Sequence, residues 1–198
     1  AFHLDVPAGV VPNNGPAATT PEATATSAPE ASPSASASDS GVNGRHYQSA
    51  RYKFSFSWGK DWSVSDDQSS ATSDTLTLAH GDALLFSDVF PYDGTAKDCV
   101  NASIDQYQSG TVFSNVTPAS ETNGAPASGS VVHGGAFADV SADTTDANGK
   151  AESVGIEIVC WVVDPDAKVV ARFEFVAPAD QFEAEVKAFK KVVQTVKI

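Results

Sequence analysis

Apolar and polar residues alternate strictly over residues 51–58. Tyr52, Phe54, Phe56 and Trp58 fall on one side of the chain, and Lys53, Ser55 and Ser57 on the other. A period of two is the signature of a half-buried strand. Gly59-Lys60-Asp61 turns the chain, and Trp62 with Val64 resumes the apolar face. Leu76 and Leu78, then Leu84-Leu85-Phe86, predict two short strands joined by a turn at His80-Gly81-Asp82. Over residues 95–108 the period changes to that of a helix. Ala96, Val100, Ile104 and Tyr107 share a stripe flanked by Cys99 and Ser103, Asp93 or Thr95 can cap the start, and Gly110 ends the run.

The second half repeats these signals. A weak strand near Val116, a strand through Val131-Val132 and a strand over Phe137–Val140 are expected. Asp143–Lys150 is read as a connection, with Asn148-Gly149 as its turn. Residues 153–163 alternate again, with Val154, Ile156, Ile158, Cys160 and Val162 on one face and Val159, Trp161 and Val163 on the other. Asp164-Pro165-Asp166-Ala167 predicts a hairpin connection into a strand over Val169–Val176, with Phe173 and Phe175 inward and Arg172 and Glu174 outward. Glu152, Glu157 and Glu174 are read as strand residues on solvated faces. A last helix follows Pro178 and Asp180, with Phe182, Val186, Phe189 and Val193 as its stripe. Glu183 and Glu185 lie early and Lys187, Lys190 and Lys191 late, in accord with the helix dipole. The sum is an α+β domain, an antiparallel sheet with helices packed on it.

Composition divides the chain. Residues 12–40 contain only Pro, Ala, Ser, Thr, Asn, Gly, Asp and Glu. Such a segment buries too little apolar area to offset its chain entropy. Residues 1–44 are therefore expected to form a disordered Pro/Ala/Ser/Thr-rich linker, and residues 45–198 the folded domain. The chain begins at Ala1, which implies a removed signal segment or a piece of something longer. No stretch reaches the ~20 apolar residues of a membrane-spanning helix. The net charge of −13 disfavours nucleic acid and anionic membrane surfaces as partners. A monomeric domain is expected, with an unknown protein or small-molecule partner.

Cys99 and Cys160 are the only cysteines. They form either one disulfide or two buried thiols, and their spacing fits no metal motif. The disulfide is favoured because the linker points to an oxidising compartment. Both residues also fall on apolar faces, one of a helix and one of a strand. The setting inferred is secreted or cell-envelope, outside the cytoplasm.

Three segments resemble the PsbP-like family. One is the run from Tyr47 to Trp62, similar to that family's opening phenylalanine strand, turn and tryptophan. The others are the long hairpin strands over Ser153–Val176 and the closing helix with a last short strand over Phe182–Ile198. The likeness implies a non-enzymatic binding or accessory domain. No family ligand residue maps onto this chain, and Gly59-Lys60-Asp61 stands where the family has a proline before the tryptophan.

Candidate chemistry is sparse. Asp143, Asp146 and Asn148, followed by Gly149, offer clustered oxygens with a glycine bend, a calcium reading that competes with a plain Asn-Gly hairpin. No cofactor is otherwise implied. Trp161 with Val159 and Val163 marks either a covered sheet face or a partner-binding strip. No Gly-x-Ser-x-Gly elbow is present, and His3, His46, His80 and His133 lie in expected loops or strand ends. The function inferred is non-catalytic binding or accessory activity. The alternatives are an extracellular hydrolase with an unrecognised site, which would need His80 or His133 beside a buried Ser and Asp, and a structural spacer.

Overall fold

The computed structural model describes residues 41–69, 74–121, 124–145 and 149–198. Residues 1–40 of the expected linker lie outside them, as do Asp146 and Asn148; its last part, expected to be disordered, instead gives Val42–Asn43 to a strand paired with His46 and Tyr47. In chain order the elements are β1 (Val42–Asn43), β2 (His46–Gln48), β3 (Ser55–Ser57), β4 (Ser63–Asp67), β5 (Asp74–His80), β6 (Ala83–Pro91), α1 (Ala96–Ser109), β7 (Ser114–Pro118), β8 (Ser128–Ser130), β9 (Ala136–Thr145), β10 (Ala151–Asp164), β11 (Val169–Pro178) and α2 (Phe182–Val193). Among the described residues the strands form two antiparallel sheets. A small one runs β1-β2-β3. A large one runs β4-β5-β6-β11-β10-β9-β7, with β8 also on β9. The edge of β9 is shared: β7 pairs with its C-terminal half and β8 with its N-terminal half. This is the α+β class expected from the alternation.

The strand ends have local causes. The opening strand is shorter than its alternation predicts because Ser49 bends the chain: its Oγ accepts from the backbone N–H of Arg51 and of Tyr52. Phe54, Phe56 and Trp58 still keep one buried face. Thr95 caps α1 through a reciprocal box, accepting from the Asp98 N–H at 3.2 Å while its own N–H donates to Asp98 Oδ2 at 2.9 Å. Two expectations are corrected. Val131-Val132 is not a strand; pairing on β9 ends at Ser130, and a 3-10 turn follows over Val132–Gly134. Asp143 does not open a loop, since β9 runs on to Thr145 against β10.

Both faces of the large sheet are covered. On the first face Trp161, Phe173, Phe175, Leu76, Leu78 and Leu85 pack against the segment 47–62 and against Val186, Phe189, Val192 and Val193 of α2. On the second, Val154, Ile156, Ile158, Cys160, Val170 and Val176 pack against Ala96, Cys99 and Val100 of α1. The helices reach their strands closely. A Cβ on Gly155 would stand 2.4 Å from the Phe182 ring, so only glycine fits beneath it.

Double coverage overturns the outward reading of three charged residues. Glu157 is 1% exposed, Glu174 4% and Arg172 7%. Arg172 lies beneath α1, where Nη2 meets Asp88 Oδ2 at 3.2 Å and Nη1 meets Glu174 Oε1 at 3.1 Å and Ser103 Oγ at 3.3 Å. Its guanidinium also sits 5.1 Å from the Phe90 ring centroid. Burial pushes the Glu174 carboxyl up, against the pull of Arg172. Removing one member of a buried ion group strands the rest. Arg172→Met is therefore expected to cost about 3–5 kcal/mol. The double variant R172M/E174L is expected to recover part of that loss in denaturant unfolding; equal losses in both would show that the charges are not coupled.

The sulfur atoms of Cys99 and Cys160 lie at disulfide-bonding distance and join α1 to β10 across 61 residues of sequence. Thiol titration of the denatured, unreduced chain is expected to find no free thiol. Reduction should lower stability by up to about 4 kcal/mol in the chain-entropy account. Two thiols before reduction would refute the bridge.

Candidate functional site

Along β10, on the first sheet face, the covering elements leave a gap. Gly155 lies under Phe182 of α2. Trp161 lies under the turn after β8, where its Nε1–H donates to the Val132 carbonyl at 2.9 Å and a Cβ on Gly135 would stand 2.6 Å from the indole. Glu157 falls between them. Above it opens a cleft of about 370 Å³, lined by Ser130, Val131, Val132, Phe137, Glu157, Lys190, Val193 and Gln194. Apolar walls with a few converging polar groups are the usual make-up of a small-molecule site.

The floor is charged. Glu157 pairs in register with Asp139 on β9, so both carboxyls point to the same sheet face. Lys190 crosses from α2, its Nζ 3.5 Å from Glu157 Oε2 and 5.9 Å from the Phe137 ring centroid. Glu157 Oε2 and Asp139 Oδ1 are buried without a hydrogen-bond partner. Burial, then the charge of Asp139, pushes Glu157 up to about 7, with Lys190 pulling the other way. Burial likewise raises Asp139.

The residues singled out from sequence fall elsewhere. Trp161 and Val159 are fully buried, and Val163 packs against the same cluster. The chain's own segments cover Val159 and Trp161, and Val163 is half-buried at the end of the strip. Asp143 accepts from Asn115 Nδ2 at 2.8 Å and Ser153 Oγ at 2.7 Å, which hold its carboxyl below the usual range. Its proposed calcium co-ligands Asp146 and Asn148 lie outside the described residues. Among the described residues no group of three or more His, Cys, Asp or Glu is placed to hold a metal ion. His46 Nδ1 lies 3.0 Å from Ser57 Oγ, and His80 Nδ1 meets the Glu185 carboxylate beside the Trp62 ring. His133 is exposed in the 3-10 turn. These contacts join no serine, histidine and carboxylate into one relay. Glu157 was not visible as a site residue in the sequence; the only signal was an acidic residue inside an apolar run, Gly155-Ile-Glu-Ile-Val-Cys160.

No family profile matches the chain, and no curated protein does. Solved structures similar to it include the following two. LpqN, described as involved in cell envelope biogenesis of Mycobacterium tuberculosis, has a TM-score of 0.46 at 10% identity, covering 74% of this chain and 83% of that one. Cyanobacterial PsbP (CyanoP) from Synechocystis sp. PCC 6803 has a TM-score of 0.43 at 12% identity, covering 77% and 91%. The second bears the name of the family that the sequence resembles. These likenesses concern the arrangement of strands and helices, not the cleft.

The cleft carboxyls give stability a pH dependence of definite sign. Glu157 binds its proton more tightly folded, at about 7, than at its ordinary value of 4.5, so stability falls as pH rises through that window and is level above it. Glu157→Gln is expected to flatten this slope. At pH 8 it should raise Tm by roughly 3–6 °C, equivalent to about 1–2 kcal/mol, and at pH 4 it should change little. A Tm loss at pH 8 in thermal unfolding would contradict this assignment.

Proposed function

We propose that this chain is a non-catalytic binding domain that works outside the cytoplasm and takes a small ligand in the cleft between α2 and the β8–β9 edge. One observation carries the reading: a buried carboxylate, Glu157, faces an open, apolar-walled cleft with an oxygen that accepts no hydrogen bond. A buried carboxylate held only by a long ion pair to Lys190 costs stability. A ligand donor supplies the missing partner. The extracytoplasmic setting is supported by the Cys99–Cys160 pair, since such bridges persist in oxidising compartments. Among the described residues no helix is long and apolar enough to cross a membrane.

An NMR fragment screen on the full chain tests this. Hits are expected to shift the amides of Val131, Val132, Phe137 and Val193. The Trp161 indole N–H should move with them, because it is bonded to the Val132 carbonyl on the cleft wall. Fragments that cluster on another surface, or none that bind, would sink the cleft as the site.

A further inference from the structure

We propose that the cleft receives the ammonium end of a primary alkylamine, with the head group at the Glu157 carboxyl, whose neighbour Asp139 adds its charge, and the carbon chain along Val131, Val132, Phe137 and Val193. This inference rests on the binding reading above and names its ligand class.

The chain already shows an ammonium in this place, its own. Lys190 Nζ stands by Glu157 Oε2 and near the face of Phe137, the two kinds of contact that a buried cation seeks. The contact is loose: 3.5 Å is long for a charged hydrogen bond, and the lysine side chain is 51% exposed while that of Glu157 is 1% exposed. Lys190 can therefore swing into solvent without opening the core. The cation count is also short. Two neighbouring carboxyls share one lysine, and once the proton held between them is lost above pH 7, Glu157 Oε2 and Asp139 Oδ1 have no hydrogen-bond donor. An ammonium brings three donors on a point charge, enough for both.

An anionic ligand fits worse. Lys190 would have to serve it while Glu157 in the floor and the neighbouring Asp139 repel it. Among the described residues lining the cleft, Glu157 and Lys190 are the charged ones: β9 sets Asp139 beside Glu157, β11 places Phe175 opposite it, β8 contributes Ser130, and α2 contributes Lys190 and the neutral Gln194. A neutral alcohol supplies one donor and no charge. The net charge of −13 adds a general attraction for cations.

The test is an NMR titration of the full chain with n-hexylamine, 1-hexanol and hexanoate in parallel. Hexylammonium is expected to shift Val132, Val193 and the Trp161 indole N–H at pH 8, hexanol more weakly, and hexanoate not at all. Glu157→Gln should weaken hexylammonium roughly tenfold. Lys190→Ala removes a competing cation from an exposed position and should tighten it, whereas a merely structural lysine predicts no gain. Binding in the wild type should strengthen from pH 6 to pH 8 as the floor ionises, and E157Q should lack this trend. Hexanol or hexanoate binding as well as hexylammonium, or Lys190→Ala weakening it, would overturn the ammonium while leaving the cleft as a binding site. Silence from all three probes overturns it too; the fragment screen then decides whether the binding reading also falls.

Discussion

Phe173 and Phe175 sit one position apart from Arg172 and Glu174 on the same strand, and the whole molecule is arranged around that alternation. The two phenylalanines gather the first face. Phe173 packs edge-on to Phe56 at 4.8 Å and Trp161 at 5.1 Å, and Phe175 stacks on Phe189 at 4.8 Å. Full burial of such a side chain stabilises by about 1.5–3 kcal/mol. It is these rings that bring the opening segment and α2 to one side of the sheet. The intervening residues face α1, where the disulfide and the Arg172 group fasten a helix whose apolar stripe is narrow. One hairpin, β10–β11, thus holds two separate cores apart and belongs to both.

The cleft is the remainder of that arrangement. α2 covers β10 at Gly155, and the turn after β8 covers it at Trp161. Glu157 lies in the interval, and only a flexible side chain bridges it. The same geometry that buries the carboxyl leaves it reachable from one direction. Its raised pKa comes from burial and from the neighbouring Asp139, and the gap between the two covering elements is what puts this buried group in the wall of a cleft.

The secondary structure was largely legible because it is written in period. Thr95 marked the start of α1, the His80-Gly81-Asp82 turn divided β5 from β6, and the parity of β10 placed Cys160 on the face that α1 approaches. Parity could not say whether the opposite face was wet. Arg172 and Glu174 look like solvent-facing residues, and Trp161 like a surface strip, until a second layer arrives from a distant part of the chain. The cleft was illegible for the same reason. Glu157 and Asp139 meet through strand register and Lys190 through helix docking, none of which has a local signature. The β8 segment Ser128-Gly129-Ser130 carries no apolar alternation, and its strand character comes wholly from pairing on β9.

The small sheet is closed from the far end of the chain. Lys197 pairs with Ser55 through both backbone bonds, and Thr195 Oγ1 accepts from the Ser57 N–H and donates to the Ser57 carbonyl. The edge of the small sheet thus waits for residues 195 and 197 before it is sealed. Such contacts carry a large loop-closure cost and slow the search for the native state. The rings of Phe54 and Phe56 can settle on Phe173 earlier, but the edge of their strand is paired only when a segment 138 residues further along the chain has docked on it.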